Sequence, residues 1–489
     1  MSKTRKKTSV VIADGCRIPF QQPGTGYRHF RAHDLARFAL RGLLDRTGID
    51  PGRVDQVVLG NVIQDPETSN VAREAALGAG LPATVPAHTV SMSSLSSNRA
   101  IIDGAEAILS GRADAVIAGG TESVSTYLDS HPRDKRRGLP FAREYSTGEV
   151  MGEHADRMAS LFDVDREAQD AYTVRSHQSA VRAGNQGWTS REIVPVTGPP
   201  DFVPIEHDNL VRADCTPENL AVQKPVFDPK FGTVTAVNAS PHADGAAAVL
   251  LMRESVAEEL GILPLARLVS WSWTAADPGE SMLLGQGYAI PALLAQTRIR
   301  EADIDVFELH EAFAAQVLAV LKALALDTLP ATGSAGSPTG SAGSPANSTG
   351  SPANSTGSPA NSTRPSAGSQ RSADGSVSIP LRKINTQGGS LALGEAFGAT
   401  GARLVTTAVH RLKHEQGTLA LVASAGVGGL GHALLLESPE RPASGNKSAS
   451  RKSSTGRKKS SSGKSASTSS TSTTKTSSTG KSQTKSRTK

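Results

Sequence analysis

Pro86-Ala-His-Thr-Val-Ser-Met-Ser-Ser-Leu-Ser-Ser-Asn-Arg-Ala100 is the stretch whose reading decides the fold of this chain. After Ser94, apolar residues recur at Ala100, Ile101, Ala105, Ile108 and Leu109, the spacing of one buried helix face, and Gly111 supplies the stop. Ala115-Val-Ile-Ala118 then has the length and apolarity of a buried strand and ends in Gly119-Gly120. Upstream, Val10 to Ala13 and Val57 to Gly60 are short runs of the same kind. Between them Asp34 can cap a helix whose Leu35, Phe38, Ala39 and Leu43 share a face, with Gly48 at its end. The alternation predicts an α/β protein with a largely buried, mainly parallel or mixed sheet.

The second half echoes the first. Asp305-Val-Phe-Glu-Leu309 runs into His310 as Gln56-Val-Val-Leu-Gly60 runs into Asn61. Gly394-Glu395, a helix over Arg403 to Arg411 and a strand Leu419 to Ala423 then repeat the order seen after Ser94, closing with Gly428-Gly429. Duplication of this kind predicts two similar α/β halves facing each other with a site at their junction.

A chain of 489 residues, 37% hydrophobic, can bury one or two large cores. Its two cysteines, Cys16 and Cys215, are too few and too far apart for a disulfide framework or a metal cluster, so no metal is expected and a reducing, cytoplasmic compartment is. The basic start is followed by no apolar core of a signal peptide, and no apolar run is long enough to span a membrane. The net charge of +6 is unevenly placed: 441–489 holds 13 Lys/Arg and no Asp/Glu, leaving −7 on residues 1–440. The Ser/Thr/Lys tail, 438–489, cannot bury enough apolar surface to order itself, and is expected to be disordered. It either neutralises a polyanion non-specifically or simply solubilises; without interleaved aromatics it offers no base-stacking platform. Residues 331–375 contain Gly-Ser-Pro-Ala-Asn-Ser-Thr three times, from Gly343, Gly350 and Gly357, and read as a flexible linker inserted into a folded unit.

Ordered blocks tie these pieces to a known family. Gly60-Asn-Val-Ile-Gln64 and Ser69 to Pro82 precede the Pro86–Ala100 stretch; Met151-Gly152, Gly232 to Ser240 with Asp244-Gly-Ala246, His310-Glu-Ala-Phe313, Asn385 to Gly394 and Gly428-Gly-Leu-Gly-His-Ala433 follow it. In these blocks the chain resembles the thiolase family, the acetyl-CoA C-acyltransferases or 3-ketoacyl-CoA thiolases, in the branch holding the β subunit of the fatty-acid oxidation trifunctional complex. The resemblance implies two α/β halves in a layered αβαβα arrangement: an N-terminal half over 9–256 with a loop domain near 125–230, and a C-terminal half over 264–437. It implies CoA or acyl-CoA as substrate or ligand with no permanently bound cofactor, a homodimer or homotetramer, and a β-oxidation partner subunit.

Family members cleave a 3-ketoacyl-CoA with CoA through an acyl-cysteine. A helix N-terminus favours the thiolate that this needs. By the resemblance, Ser94 stands in the place of that cysteine, Glu395 in that of the activating histidine, and Ala425 in that of the acid/base cysteine. His310 matches the group that polarises the thioester carbonyl. The backbone N–H groups of Ser94 and Val427 match a second oxyanion hole, which does not depend on side chains. Met151, Ser240, Ala312 and Phe313 match positions lining the pantetheine and acyl channel. Three reactive side chains out of four are therefore replaced, and ordinary thiolysis is expected to be weak or absent. Two outcomes stay open: an acyl-CoA-binding or scaffolding protein without thiolase turnover, or an enzyme using Ser94, Glu395 and His310 for thioester hydrolysis or slow acyl transfer.

Overall fold

A computed structural model describes residues 8–133, 139, 143–326 and 378–439. The expected linker over 331–375 and the tail beyond Pro439 lie outside the described residues.

Nine strands form one mixed sheet among the described residues. They are β1 (Val10–Arg17), β2 (Gln56–Gly60), β3 (Ala87–Val90), β4 (Ala115–Glu122), β5 (Gly245–Arg253), β6 (Ala266–Ala275), β7 (Val306–Leu309), β8 (Leu419–Gly426) and β9 (Leu430–Glu437). Their order, β3-β2-β4-β5-β1-β6-β9-β8-β7, reads the same from both sides of the β1/β6 seam if β3 is set aside. In each half a parallel pair, β2/β4 or β7/β8, is continued by an antiparallel partner, β5 or β9. The halves join through Val10, Val11 and Ile12 opposite Leu268, Arg267 and Ala266. This palindrome is the structural form of the echo in the sequence.

Alternation along the strands assigns each residue to a layer. On β5, Ala246, Ala248, Leu250 and Met252 face a core shared with the helix Ala32–Thr47, while Ala247, Val249 and Leu251 face the opposite way. On β9, Ala433 and Leu435 face the helices Gly285–Thr297 and Ala314–Leu326, while Leu434 and Leu436 face the core that also receives Val249. That shared core holds the helices Ser96–Leu109 and Phe397–His414. The layers are thus helix, strand, helix, strand, helix. Every residue from Phe397 to Leu412 is buried, as a helix enclosed between two sheet faces requires.

Three local readings change. Gly119-Gly120 lies inside β4, which runs on to Glu122, because a Cβ on Gly120 would sit 1.9 Å from the Gly398 carbonyl oxygen. The glycine pair admits the central helix rather than ending the strand. Asp34 caps its helix from the first turn, accepting the Arg31 N–H at 3.2 Å, while the chain leaves at Gly48 with φ +63°. The strand that was to end at Ala423 continues to Gly426 and so contains Ala425.

Residues between β4 and β5 carry the helices Met151–Leu161 and Arg166–Asn185. Glu311, fully buried, fastens this region to the C-terminal half: it accepts Tyr172 Oη at 3.0 Å, Ser176 Oγ at 2.8 Å and Asn385 Nδ2 at 2.6 Å. No helix among the described residues is long and apolar enough to cross a membrane.

Candidate active site

Ser94 sits in the turn between β3 and the helix Ser96–Leu109. Ser93 adopts φ +52°, a left-handed conformation unusual for a residue with a Cβ, and Ser96 holds it there. The Ser96 hydroxyl donates to the Ser93 carbonyl at 2.6 Å and accepts the Met92 N–H at 2.8 Å. The sharp turn delivers Ser94, buried, to the mouth of the central helix layer.

Glu395 arrives from the opposite half, directly before the helix Phe397–His414. Gly394, at φ +90°, turns the chain where a Cβ would strike Leu210 and Ala243. Glu395 N–H then donates to the Pro241 carbonyl at 2.8 Å and its carbonyl accepts Ala243 N–H at 3.0 Å, so Ser240 and His242 flank its side chain. The Ser94 hydroxyl donates to Oε1, and the Ser240 hydroxyl donates to Oε2 at 3.1 Å.

His310 follows β7. Its N–H donates to the Ala423 carbonyl at 2.9 Å, and its own carbonyl accepts Gln286 Nε2 at 2.7 Å. Its Nδ1 lies 3.2 Å from the Ala425 carbonyl oxygen. Its Nε2 lies 3.1 Å from Glu395 Oε1, within ion-pair distance although the ring N–H is not aimed along the contact. Burial alone would raise the Glu395 carboxyl, but the adjacent His310 imidazole, the Ser94 hydroxyl and, least, the His242 imidazole outweigh it and bring it down to about 2.

All nine positions singled out in the sequence border one cavity of about 460 Å³: Ser94, His310, Glu395, Ala425 and Val427 at its polar end, with Met151, Ser240, Ala312 and Phe313 along its walls. Phe313 meets Phe227 edge to face at 6.4 Å, and Ser240 N–H donates to the Ala312 carbonyl at 2.9 Å. The backbone pair is less open than the sequence implied, since Val427 N–H leans on Ser93 Oγ at 3.4 Å. Ser240, read as a channel residue, is tied to Glu395 as well. Neither Cys16 nor Cys215 borders the cavity; both are free and buried. No group of three or more His, Cys, Asp or Glu among the described residues is placed to hold a metal ion.

Among the cavity residues not singled out in the sequence, His242 and Gln316 bear most on its chemistry. His242, whose imidazole burial pushes below its ordinary value, lies against Phe397 with ring centroids 5.1 Å apart and planes tilted by 43°. Gln316 follows the His310-Glu-Ala-Phe313 block by three residues. His242 could have been found from its place two residues after Ser240, but Gln316 carries no signal apart from that neighbourhood.

Residues 10–255 match the family model described as thiolase, N-terminal domain, and residues 262–438 the one described as thiolase, C-terminal domain. The chain belongs to the thiolase family. Among its thiolase relatives, the trifunctional enzyme subunit beta, mitochondrial, of Bos taurus is 39% identical, covering 88% of each chain. The 3-ketoacyl-CoA thiolase of Yersinia pestis (strain Pestoides F) is 36% identical, covering 89% of this chain and 98% of its own. The crystal structure of human mitochondrial 3-ketoacyl-CoA thiolase in complex with CoA superposes with a TM-score of 0.72 at 28% identity, covering 88% of this chain and 98% of that one. The layered αβαβα architecture expected from the motifs is therefore a thiolase architecture in fact.

Proposed function

We propose that this thiolase-family chain binds acyl-CoA in the service of fatty-acid β-oxidation and does not carry out ordinary thiolysis. The observation that carries this reading is the Ser94–Glu395 contact. A serine becomes a nucleophile only when a positioned base takes its proton, and a base works best with a pKa near the working pH. The Ser94 hydroxyl is instead committed to a carboxylate held at about 2, which has almost no affinity for that proton at neutral pH. Ala425 offers no group to remove or return a proton at the substrate's α-carbon. Glu395 also stands beside His310 Nε2, the atom that would otherwise meet the thioester oxygen.

The cavity is otherwise suited to a pantetheine arm and a short acyl group. Its walls are largely apolar, and its volume falls in the usual range for small-molecule sites. The likeness to proteins named as a trifunctional enzyme subunit and a thiolase, and to a CoA-bound structure, supports both the ligand and the pathway. As further parts of the same proposal, the protein is a cytoplasmic homodimer or homotetramer, works beside a β-oxidation partner subunit, and meets polyanions through its basic tail.

Calorimetric titration with CoA and acetyl-CoA tests binding, and intact mass with CoA-release assays on acetyl-CoA and a 3-ketoacyl-CoA tests chemistry. Binding without turnover is expected. An acyl adduct on Ser94, or CoA release abolished by Ser94→Ala, would replace this reading with hydrolysis or slow acyl transfer at Ser94.

A further inference from the structure

Gln316 is the third residue of the helix Ala314–Leu326 and is fully buried. Its Oε1 accepts the Ala312 N–H at 3.1 Å and the Phe313 N–H at 3.4 Å. Two N–H donors can face only the oxygen of a side-chain amide, so the orientation of this one is fixed by its partners. The Nε2 group is left pointing elsewhere. It is buried, has no partner among the described residues, and belongs to a side chain bordering the Ser94–Glu395 cavity. Gln286, the other buried glutamine of this neighbourhood, is oriented the opposite way: its Nε2 is used within the protein, on the His310 carbonyl.

A buried amide donor without an acceptor is costly, and a ligand oxygen would satisfy it. The acceptor is constrained further by Glu395. An ionised carboxylate on the same cavity disfavours an anionic ligand group and tolerates a neutral carbonyl. We infer that Gln316 is a substrate-positioning residue whose Nε2 donates to a carbonyl oxygen of bound acyl-CoA, on the pantetheine arm or on the acyl group. The inference rests on the acyl-CoA reading above and adds to it a residue and a direction: one carbonyl of the ligand is fixed by the helix that follows His310.

Gln316→Glu separates the two faces of the side chain. It keeps an oxygen for the Ala312 and Phe313 N–H groups and removes the donor. Titration calorimetry on the full chain compares CoA, acetyl-CoA, acetoacetyl-CoA and the adenosine bisphosphate moiety of CoA alone, with thermal unfolding of the ligand-free protein alongside. Binding of at least one carbonyl-bearing ligand is expected to weaken about tenfold or more, while the carbonyl-free nucleotide moiety is unaffected. Loss with all three CoA ligands places the contact on pantetheine; loss confined to the acylated ones places it on the acyl group. Unchanged affinities, or an equal loss with the nucleotide moiety, overturn the inference. Failure of the parent protein to bind any CoA ligand overturns the acyl-CoA reading along with it. If a carboxylate here prevents folding, Gln316→Met, similar in volume, removes donor and acceptor together, and its losses are read against the nucleotide moiety in the same way.

Discussion

Ser94 and Glu395, 301 residues apart in the chain, meet through a hydrogen bond from the serine hydroxyl to the carboxylate. One comes from the turn before Ser96–Leu109 and the other from the turn before Phe397–His414, the two helices of the central layer. The pair forms a hydrogen-bonded clasp between the halves.

If the scaffold is intact and only side chains are missing, restoring them should restore the chemistry. The triple variant Ser94→Cys, Glu395→His, Ala425→Cys is expected to show 3-ketoacyl-CoA thiolysis at least ~10³-fold above the parent, with each single replacement near background because such groups act as a unit. Thiolysis is followed by loss of the 3-ketoacyl-CoA absorbance. A triple variant that folds, binds CoA and remains inactive would show that the backbone has drifted as well.

The depressed Glu395 carboxyl has a consequence for stability. A carboxylate with a lowered pKa stabilises the fold above its unfolded value of about 4.3, and the stabilisation is lost as pH falls through the folded value, about 2. The difference in urea midpoint between the parent and Glu395→Gln is therefore expected to narrow as pH is lowered from about 6 to about 3. A difference independent of pH over that window would contradict an ionised Glu395.

Gly120→Ala should be among the most damaging small substitutions. The added methyl would meet the Gly398 carbonyl oxygen at 1.9 Å and the Gly60 carbonyl oxygen at 3.0 Å, all backbone with nowhere to retreat. A cost of about 3 kcal/mol or more is expected in chemical denaturation. Gly48→Ala is a useful contrast: nothing lies within 4 Å of the added atom, and only the φ of +63° opposes it.

Removal of residues 441–489 deletes 13 positive charges and leaves a chain of net −7. Binding of duplex DNA by the full chain is expected to weaken steeply with salt, and the truncated chain is expected not to bind at all. Fluorescence anisotropy at several salt concentrations reads both. Equal binding by the two chains would assign the interaction to the folded part.

The alternation of strands and helices was legible because both faces of each sheet half are buried, which leaves its strands as short continuous apolar runs such as Ala115-Val-Ile-Ala118, whose residues divide between two cores. The nine site positions were legible because each lies in or beside a block that resembles a thiolase motif, and all nine border one cavity. Other features were not. Gly119-Gly120 looked like a strand end because the reason for it, the Gly398 carbonyl, is 278 residues away. The capture of Ser240 by Glu395 follows from a backbone bridge between 241–243 and 395 that no local pattern announces. Gln316 could not be distinguished from an ordinary helix glutamine until both ends of its amide had been accounted for.

The enclosed helix Phe397–His414 bears on a different matter. Thr406 and Gly15 approach so closely that a Cβ on the glycine would lie 2.9 Å from the threonine hydroxyl, and Arg411 Nη1 reaches the Phe307 carbonyl at 3.1 Å. One helix is therefore wall to β1 of the first half and to β7 of the second, although residues 10–255 and 262–438 match separate family models. Neither half can retain its own core once the other has melted away from that helix. The folded part of the chain should therefore unfold in calorimetry as one cooperative body, with no half-molecule surviving as a stable intermediate.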